Sequence, residues 1–269
     1  MKNKIAIIYD FDKTLIPKNM QEYDLQGKLG LKDDFFKQFN NFAKENNMDM
    51  VLATQYFLKE VAKQKNIITN KEFLIDCGKN ITYFEGVESW FEKINEYGKL
   101  IGLEVEHYVL SCGSKEIIEG CSIAKHFKRI FANEYIYDET GQAIWPKVLV
   151  NYTTKTQYLF RIRKNLLDDF YDVVEINKRM VADKIPFKNM IYIGDGFSDV
   201  PCMQIVFNKG GYAVSVFAPN DNKSMIEAIT LYDEKRVSAY MPADYREQSG
   251  LDKYIKQALL DISEQIKKD

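Results

Sequence analysis

Short apolar runs that end abruptly in acidic residues are the feature that most constrains how this chain can fold. Residues 5–9 read IAIIY and are followed by Asp10, and residues 190–193 read MIYI and lead into Asp195. Uninterrupted apolar runs of this length are typical of parallel strands that are buried on both faces. Acidic side chains are therefore expected at the carboxyl ends of at least two buried strands.

Helical patterns alternate with the predicted strands. Such alternation indicates an α/β fold, a Rossmann-like doubly wound parallel sheet. The predicted strands cover 105–110, which ends before Ser111, and 212–216, and residues 131–150 are predicted to form a hairpin or strand pair with its turn at 138–141. The predicted helices cover 87–100, the residues from about Pro201, and 250–267. A further helix is predicted to be capped by Thr153 or Thr154, with Lys155 in its first turn.

The segment between the first strand and residue 85 has a different character. Residues 17–84 carry helical spacing, as in Phe35, Phe39 and Phe42, and are rich in aromatic side chains. We therefore predict a helical module at residues 17–84, inserted into an α/β core formed by residues 1–16 and 85–269. Most of the aromatic residues are expected to form the internal core of this module.

Composition narrows the function classes. The 269 residues carry 37 basic and 39 acidic side chains, so the net charge of -2 gives no general attraction to nucleic acid or to an anionic membrane. No stretch reaches the roughly 18 apolar residues of a membrane helix. The four cysteines form no CxxC pair, which favours reduced thiols. We predict a cytoplasmic protein that acts on a small molecule, and the sequence leaves its oligomeric state open.

The polar residues that follow the strands are expected to meet. In an open α/β sheet, ligands bind beyond the carboxyl ends of the strands, which is where Asp10, Asp12, Ser111, Asp195 and Asp199 fall. Several carboxylates in one crevice stay ionised only when a cation offsets their charge, and oxygen ligands favour Mg²⁺. Zinc is not expected, because the two histidines, His107 and His126, lie outside these clusters.

Four ordered motifs carry a resemblance. The segments Asp10-Phe11-Asp12-Lys13-Thr14-Leu15 and Gly194-Asp195-Gly196-Phe197-Ser198-Asp199, together with Ser111 and Lys155, resemble the motifs of the haloacid dehalogenase superfamily. DFDKTL and GDGFSD look most like its phosphoserine-phosphatase-like branch, which inserts a helical cap after the first motif. Lys147 and Lys164 are competitors for the role of Lys155.

The resemblance implies a Mg²⁺-dependent phosphatase acting on a small phosphorylated metabolite. Asp10 would be the nucleophile that forms an aspartyl-phosphate, and Asp12 the general acid and base. Asp10, Asp195 and the backbone carbonyl of Asp12 would hold the metal, with Asp199 nearby. Ser111 and Lys155, with the backbone N–H groups of Phe11 and Gly113, would bind the phosphoryl oxygens.

Two alternatives remain open at this stage. A phosphotransferase of the same superfamily would use the same residues, and a signalling or binding protein that is phosphorylated on aspartate would share some of them. Phosphoserine is not favoured as the substrate, because the first arginine of the chain is Arg129 and the predicted cap therefore has none. Asn19 stands near the position where the resemblance leads us to expect a glutamate, and Glu22 is a possible substitute.

Overall fold

A seven-stranded sheet runs through the part of the chain that the structure describes. This computed structural model describes residues 3–168, 170–179 and 183–268, so the outer limits of the predicted core, residues 1 and 269, lie outside it. The strands are β1 (Lys4–Tyr9), β2 (Glu104–Ser114), β3 (Phe127–Tyr137), β4 (Ala143–Val148), β5 (Met190–Gly194), β6 (Tyr212–Phe217) and β7 (Ala239–Pro242). Their order is β4-β3-β2-β1-β5-β6-β7, and all neighbours are parallel except β3 and β4.

The helices lie on both faces of this sheet or within the insertion. Those of the insertion are α1 (Asp24–Lys28), α2 (Phe35–Glu45), α3 (Met50–Gln64) and α4 (Lys71–Asp76). The others are α5 (Val87–Leu100), α6 (Lys115–Glu119), α7 (Lys155–Lys164), α8 (Val173–Asn177), α9 (Val200–Asn208), α10 (Asn222–Asp233) and α11 (Gly250–Lys268). The predicted α/β fold class, a mostly parallel sheet flanked by helices, is confirmed.

The apolar run of β1 is explained by its central place in the sheet. Ile5, Ile7 and Tyr9 face one hydrophobic cluster, which includes residues of α5 and α11. Ala6 and Ile8 face the opposite cluster, which includes residues of α7 and α9. Because successive side chains of a strand point to opposite faces, a strand covered on both sides needs apolar residues at every position.

The inserted helices pack through their aromatic residues. The rings of Phe35 and Phe39 lie 5.2 Å apart, and Phe39 meets Phe57 of α3 with ring centroids 4.6 Å apart. Helix α4 lies against α6, where Gly78 and Gly120 bring the two backbones into direct contact. The division into a core and a cap stays a prediction, but these helices do occupy the stretch between β1 and α5.

Three local expectations differ from the structure. Strand β2 continues through Ser114, past its predicted end before Ser111, and pairs again with β3 at Asn133 after a register shift. Helix α7 is not capped by a threonine side chain; the Asn151 carboxamide accepts from the backbone N–H groups of Thr153 and Thr154 instead. Helix α10 and the edge strand β7 were not predicted. Among the described helices, none is both long enough and apolar enough to cross a membrane.

Candidate active site

The carboxyl ends of β1 and β5 bring three aspartates together. These strands are neighbours in the sheet, and the backbone N–H of Asp10 donates to the carbonyl of Ile193 at 2.9 Å. Asp10, Asp195 and Asp199 each offer a carboxylate oxygen, and these oxygens all lie within 4.8 Å of one another. The convergence expected from the sequence is therefore found for these three residues.

Lys155 is buried among these carboxylates. Its Nζ lies 2.6 Å from an oxygen of Asp10 and 2.7 Å from an oxygen of Asp199, and the side chain is buried. The position follows from the chain, because β4 leads back towards the crevice and Lys155 is the first residue of α7. The two competitors lie elsewhere: Lys147 pairs with Glu134, and Lys164 donates to the carbonyls of Ile176 and Lys178.

Asp199 is held by groups that the sequence did not single out. The hydroxyl of Tyr192 on β5 donates to Asp199 Oδ1 at 2.7 Å, the oxygen that also meets Lys155. A Cβ atom at Gly194 would lie 2.5 Å from Asp199 Oδ2, so the glycine makes room for this carboxylate. Tyr192 was predicted only as part of a buried strand, and nothing in the sequence marks its hydroxyl.

A tight turn after β1 positions Asp12. Lys13 adopts a left-handed backbone conformation with φ 57°, and the N–H groups of Thr14 and Leu15 both donate to the carbonyl of Phe11. Such a conformation is unfavourable for a residue other than glycine and is typical of functional sites. The Asp12 carboxylate accepts a hydrogen bond of 2.9 Å from the backbone N–H of Met20. Met20 is a further contact that the sequence did not predict.

Ser111 and Gly113 lie at the end of β2, next to β1 in the sheet. Ser111 is buried, and its hydroxyl accepts a 3.0 Å hydrogen bond from the backbone N–H of Gly113. Two residues that bear on this segment were missed: Asn133 donates to the carbonyl of Cys112, and the Met20 sulfur accepts from the N–H of Ser114.

The buried charges perturb one another. Burial, with the charge of Asp199, raises the pKa of Asp10 to about 7, and burial, with the charge of Asp10, raises that of Asp12 to about 8. The pKa of Asp195 is raised well above its ordinary value for the same reasons, burial and then Asp10. Burial disfavours the ammonium of Lys155, but Asp10 and Asp199 outweigh it and raise the pKa of this lysine.

Two other side chains near the site have ordinary structural roles. Glu22, the possible substitute for a substrate-binding glutamate, accepts hydrogen bonds from the backbone and side chain of Asn19. Burial raises the pKa of the Cys112 thiol to about 12, which keeps it protonated and unreactive near neutral pH.

The donor set fits a hard divalent cation. Asp10, Asp195 and Asp199 supply only carboxylate oxygens, which suit Mg²⁺ rather than zinc. Asp199 Oδ2 is buried and has no hydrogen-bond partner among the described residues. A buried carboxylate oxygen without a partner is costly, and a cation at this position would satisfy it.

Comparison with solved structures identifies the class of fold. A haloacid dehalogenase (HAD) family hydrolase from Salmonella enterica serovar Typhi superposes with a TM-score of 0.61 at 15% identity, covering 94% of this chain and 70% of that chain. A substrate-bound phosphoserine phosphatase superposes with a TM-score of 0.58 at 17% identity, covering 96% and 99%. A phospho-aspartyl intermediate analogue of phosphoserine phosphatase gives 0.57 at 16% identity, covering 95% and 99%. The architecture is therefore that of HAD-family hydrolases.

The chain belongs to the Putative Phosphatase family, whose model matches residues 5–227. An uncharacterized protein of Borreliella burgdorferi is 28% identical over 285 aligned residues, covering 96% of this chain and 97% of that protein. The predicted enzyme class, a phosphatase, is confirmed by this family, and the likeness to HAD-family hydrolases shows the fold.

Proposed function

We propose that this protein is a Mg²⁺-dependent phosphatase that hydrolyses a small-molecule phosphomonoester through an aspartyl-phosphate on Asp10. The observation that carries the proposal is the buried group of Asp10, Asp199 and Lys155, with contacts of 2.6 and 2.7 Å, beside Asp195 at the end of β5. Charges are expensive to bury. Their concentration at the carboxyl ends of central strands is what phosphoryl transfer requires, namely fixed positions and compensated charge.

In the first half-reaction, an oxygen of Asp10 forms a bond to phosphorus as the bond from phosphorus to the ester oxygen breaks. Asp12 gives its proton to the departing oxygen, which leaves as an alcohol. In the second, Asp12 takes a proton from a water molecule, the water oxygen bonds to phosphorus, and the bond to Asp10 breaks to release phosphate. The likeness to a phospho-aspartyl intermediate analogue of phosphoserine phosphatase supports an aspartyl-phosphate as the intermediate.

The other residues would hold the phosphoryl group and the metal. Lys155 and Ser111, with the backbone N–H groups of Phe11 and Gly113, would bind the phosphoryl oxygens. Asp10, Asp195 and the backbone carbonyl of Asp12 would hold Mg²⁺, with Asp199 nearby. The ion would offset the negative charge shared by the phosphoryl group and the carboxylates.

We further propose that residues 17–84 act as a cap over this site. Support comes from Met20, which belongs to this segment and contacts two parts of the core. Its N–H donates to Asp12 at 2.9 Å, and its sulfur accepts from the N–H of Ser114 at 3.2 Å. The segment would exclude water and set the shape of the substrate site.

The experiment is release of phosphate from 4-nitrophenyl phosphate with and without Mg²⁺. The wild type should turn over with Mg²⁺ and lose activity in EDTA. Asp10→Asn should lower kcat by roughly a thousandfold or more, and Asp12→Asn by about 10²- to 10⁴-fold. The exposed Asp233 gives a matched control, since Asp233→Asn should leave kcat unchanged.

A second measurement tests the covalent step. Protein quenched in acid during turnover should carry one phosphoryl group on the peptide that contains Asp10, and Asp10→Asn should carry none. Full activity of Asp10→Asn, or turnover that is insensitive to EDTA, would contradict the proposal. Loss of substrate without free phosphate would show transfer to another acceptor instead of hydrolysis.

A further inference from the structure

A pocket of about 860 Å³, including the part that is open to solvent, lies between the inserted helices and the β3–β4 hairpin. Leu25, Leu29 and Leu52 of the insertion line it, and Ile117 and Trp145 line it from the core side. Because part of this volume is open solvent, the pocket is a partly open cleft and not an enclosed cavity.

The pocket lies next to the candidate active site. Met20 connects the two, because its backbone N–H donates to Asp12 and its sulfur accepts from the N–H of Ser114. Ser114 and Gln21, the residue after Met20, both line the pocket. The residues assigned to the chemistry do not themselves line the pocket, so the organic part of an ester bound beside Asp10 would reach this space past Met20.

Several polar side chains of the wall are paired within the protein. Gln55 is hydrogen bonded to the hydroxyl of Tyr135. The Ser114 hydroxyl donates to Glu116 at 2.9 Å, and the Thr69 hydroxyl accepts from Gln142 at 2.7 Å. These paired groups offer little compensation to a charged ligand, which would lose its hydration against the leucine, isoleucine and proline residues of the wall.

Charge in the pocket is confined to one exposed residue. Among the described residues that line it, Lys59 alone carries a charge, and its side chain is exposed. Two aromatic side chains, Tyr56 at 44% exposure and Trp145 at 60%, also line the wall and keep surface open to solvent. Aromatic faces of this kind add favourable contact with an apolar or aromatic group.

We infer that the substrates of this phosphatase are monoesters of uncharged alcohols with an alkyl or aromatic body, and that this pocket binds that body. The inference rests on the proposed function for the chemistry and on the pocket for the specificity. It assigns Trp145, Leu52 and their neighbours to recognition of the leaving group. It disfavours esters whose organic part carries a carboxylate or an ammonium group, such as phosphoserine or phosphocholine.

The test is a series of esters of increasing length. With Mg²⁺, kcat/KM for methyl, ethyl, butyl and hexyl phosphate should rise about two- to fourfold per methylene until the pocket is filled. Phenyl and 2-naphthyl phosphate should exceed phosphoserine and phosphocholine. A flat series, or a preference for either charged ester, would overturn the inference while leaving the phosphatase proposal intact.

Two variants test whether this pocket causes the preference for longer esters. Trp145→Ala should lower the ratio of kcat/KM for hexyl phosphate to that for methyl phosphate by about fivefold or more. Tyr240→Ala removes a partly exposed aromatic residue from β7, the opposite edge strand, and should leave the ratio unchanged. An unchanged ratio in Trp145→Ala would count against this pocket as the binding site.

A binding measurement separates the two proposals if no ester is hydrolysed. That result would end the phosphatase proposal, whereas calorimetry with hexylphosphonate and methylphosphonate, which cannot be hydrolysed, still addresses the pocket. Hexylphosphonate should bind more tightly, and the difference should shrink in Trp145→Ala. Equal affinity for the two phosphonates would refute the pocket assignment by itself.

Discussion

Replacing Lys155 by methionine tests the electrostatics on which the candidate site depends. Methionine is close to lysine in volume, so the change removes the positive charge and leaves little cavity. The two carboxylates at 2.6 and 2.7 Å lose their cation, and Asp199 already has one buried oxygen without a hydrogen-bond partner. Removing one member of a buried ion pair costs about 3–5 kcal/mol, because the remaining charge stays buried without compensation.

The assay is urea unfolding followed by circular dichroism, in EDTA at pH 7.5, so that no metal offsets the carboxylates. Lys155→Met should reduce the free energy of unfolding by about 3–5 kcal/mol. With Mg²⁺ and 4-nitrophenyl phosphate, it should also lower kcat by about 10²- to 10³-fold, the cost of removing a group that stabilises developing charge.

Lys147→Met is the matched control. The Lys147 side chain is half exposed, and its Nζ lies 3.1 Å from an oxygen of Glu134. Glu134 is buried, but it keeps Lys115 at 2.9 Å after this change, so the variant should unfold nearly as the wild type does and keep its activity. If Lys155→Met unfolds with the same free energy as Lys147→Met and retains its rate, the reasoning about the buried charges is wrong.

Two further predictions concern the framework of the site. Burial lowers the pKa of His107 to about 3, so the folded state requires the neutral imidazole. The stability that the folded protein gains from this neutral side chain is complete above about pH 6.5 and is lost progressively as the pH falls towards 3. Between pH 7.5 and 5.0 the wild type should therefore lose about 2 kcal/mol of unfolding free energy more than His107→Gln does. Burial also lowers the pKa of the half-buried His126, so His126→Gln should keep most, but not all, of the wild-type pH dependence. Gly120→Ala would place a Cβ 1.9 Å from the carbonyl oxygen of Ile75, and it should cost about 1–3 kcal/mol in the same unfolding assay. Gly27→Ala, with open space around its Cβ, is the control and should be neutral or stabilising; equal effects of the two alanines would contradict the close contact between α4 and α6.

The aspartates at the carboxyl ends of the strands could be predicted because the sequence pattern that marks them is local. Asp10 and Asp195 each follow a short apolar run, and a strand buried on both faces must be apolar along its whole length. The positions of these aspartates then follow from a general property of parallel sheets, without any knowledge of side-chain contacts. Lys155 could be preferred on similar grounds, as the first residue of a helix that follows a strand.

The contacts that complete the site depend on tertiary structure and had no such signal. Tyr192 was indistinguishable from any other residue of a buried strand until the register placed its hydroxyl 2.7 Å from Asp199. Met20 meets Ser114 across 94 residues of sequence, through a sulfur atom that no motif would select. The register shift in β2 likewise arises from pairing with β3, which local patterns do not determine.

Met20 also joins the proposed chemistry to the proposed specificity. Its N–H holds one oxygen of Asp12, the residue assigned to proton transfer, while its sulfur contacts Ser114 in the wall of the apolar pocket. One buried residue of the segment that follows β1 thus contacts both the proposed acid, through its backbone, and the wall of the pocket, through its sulfur. Binding energy from the organic part of the substrate can then be expressed in the transition state, where the proton is transferred, rather than in the ground state alone. On this reasoning, lengthening the alkyl chain should raise kcat as well as lower KM.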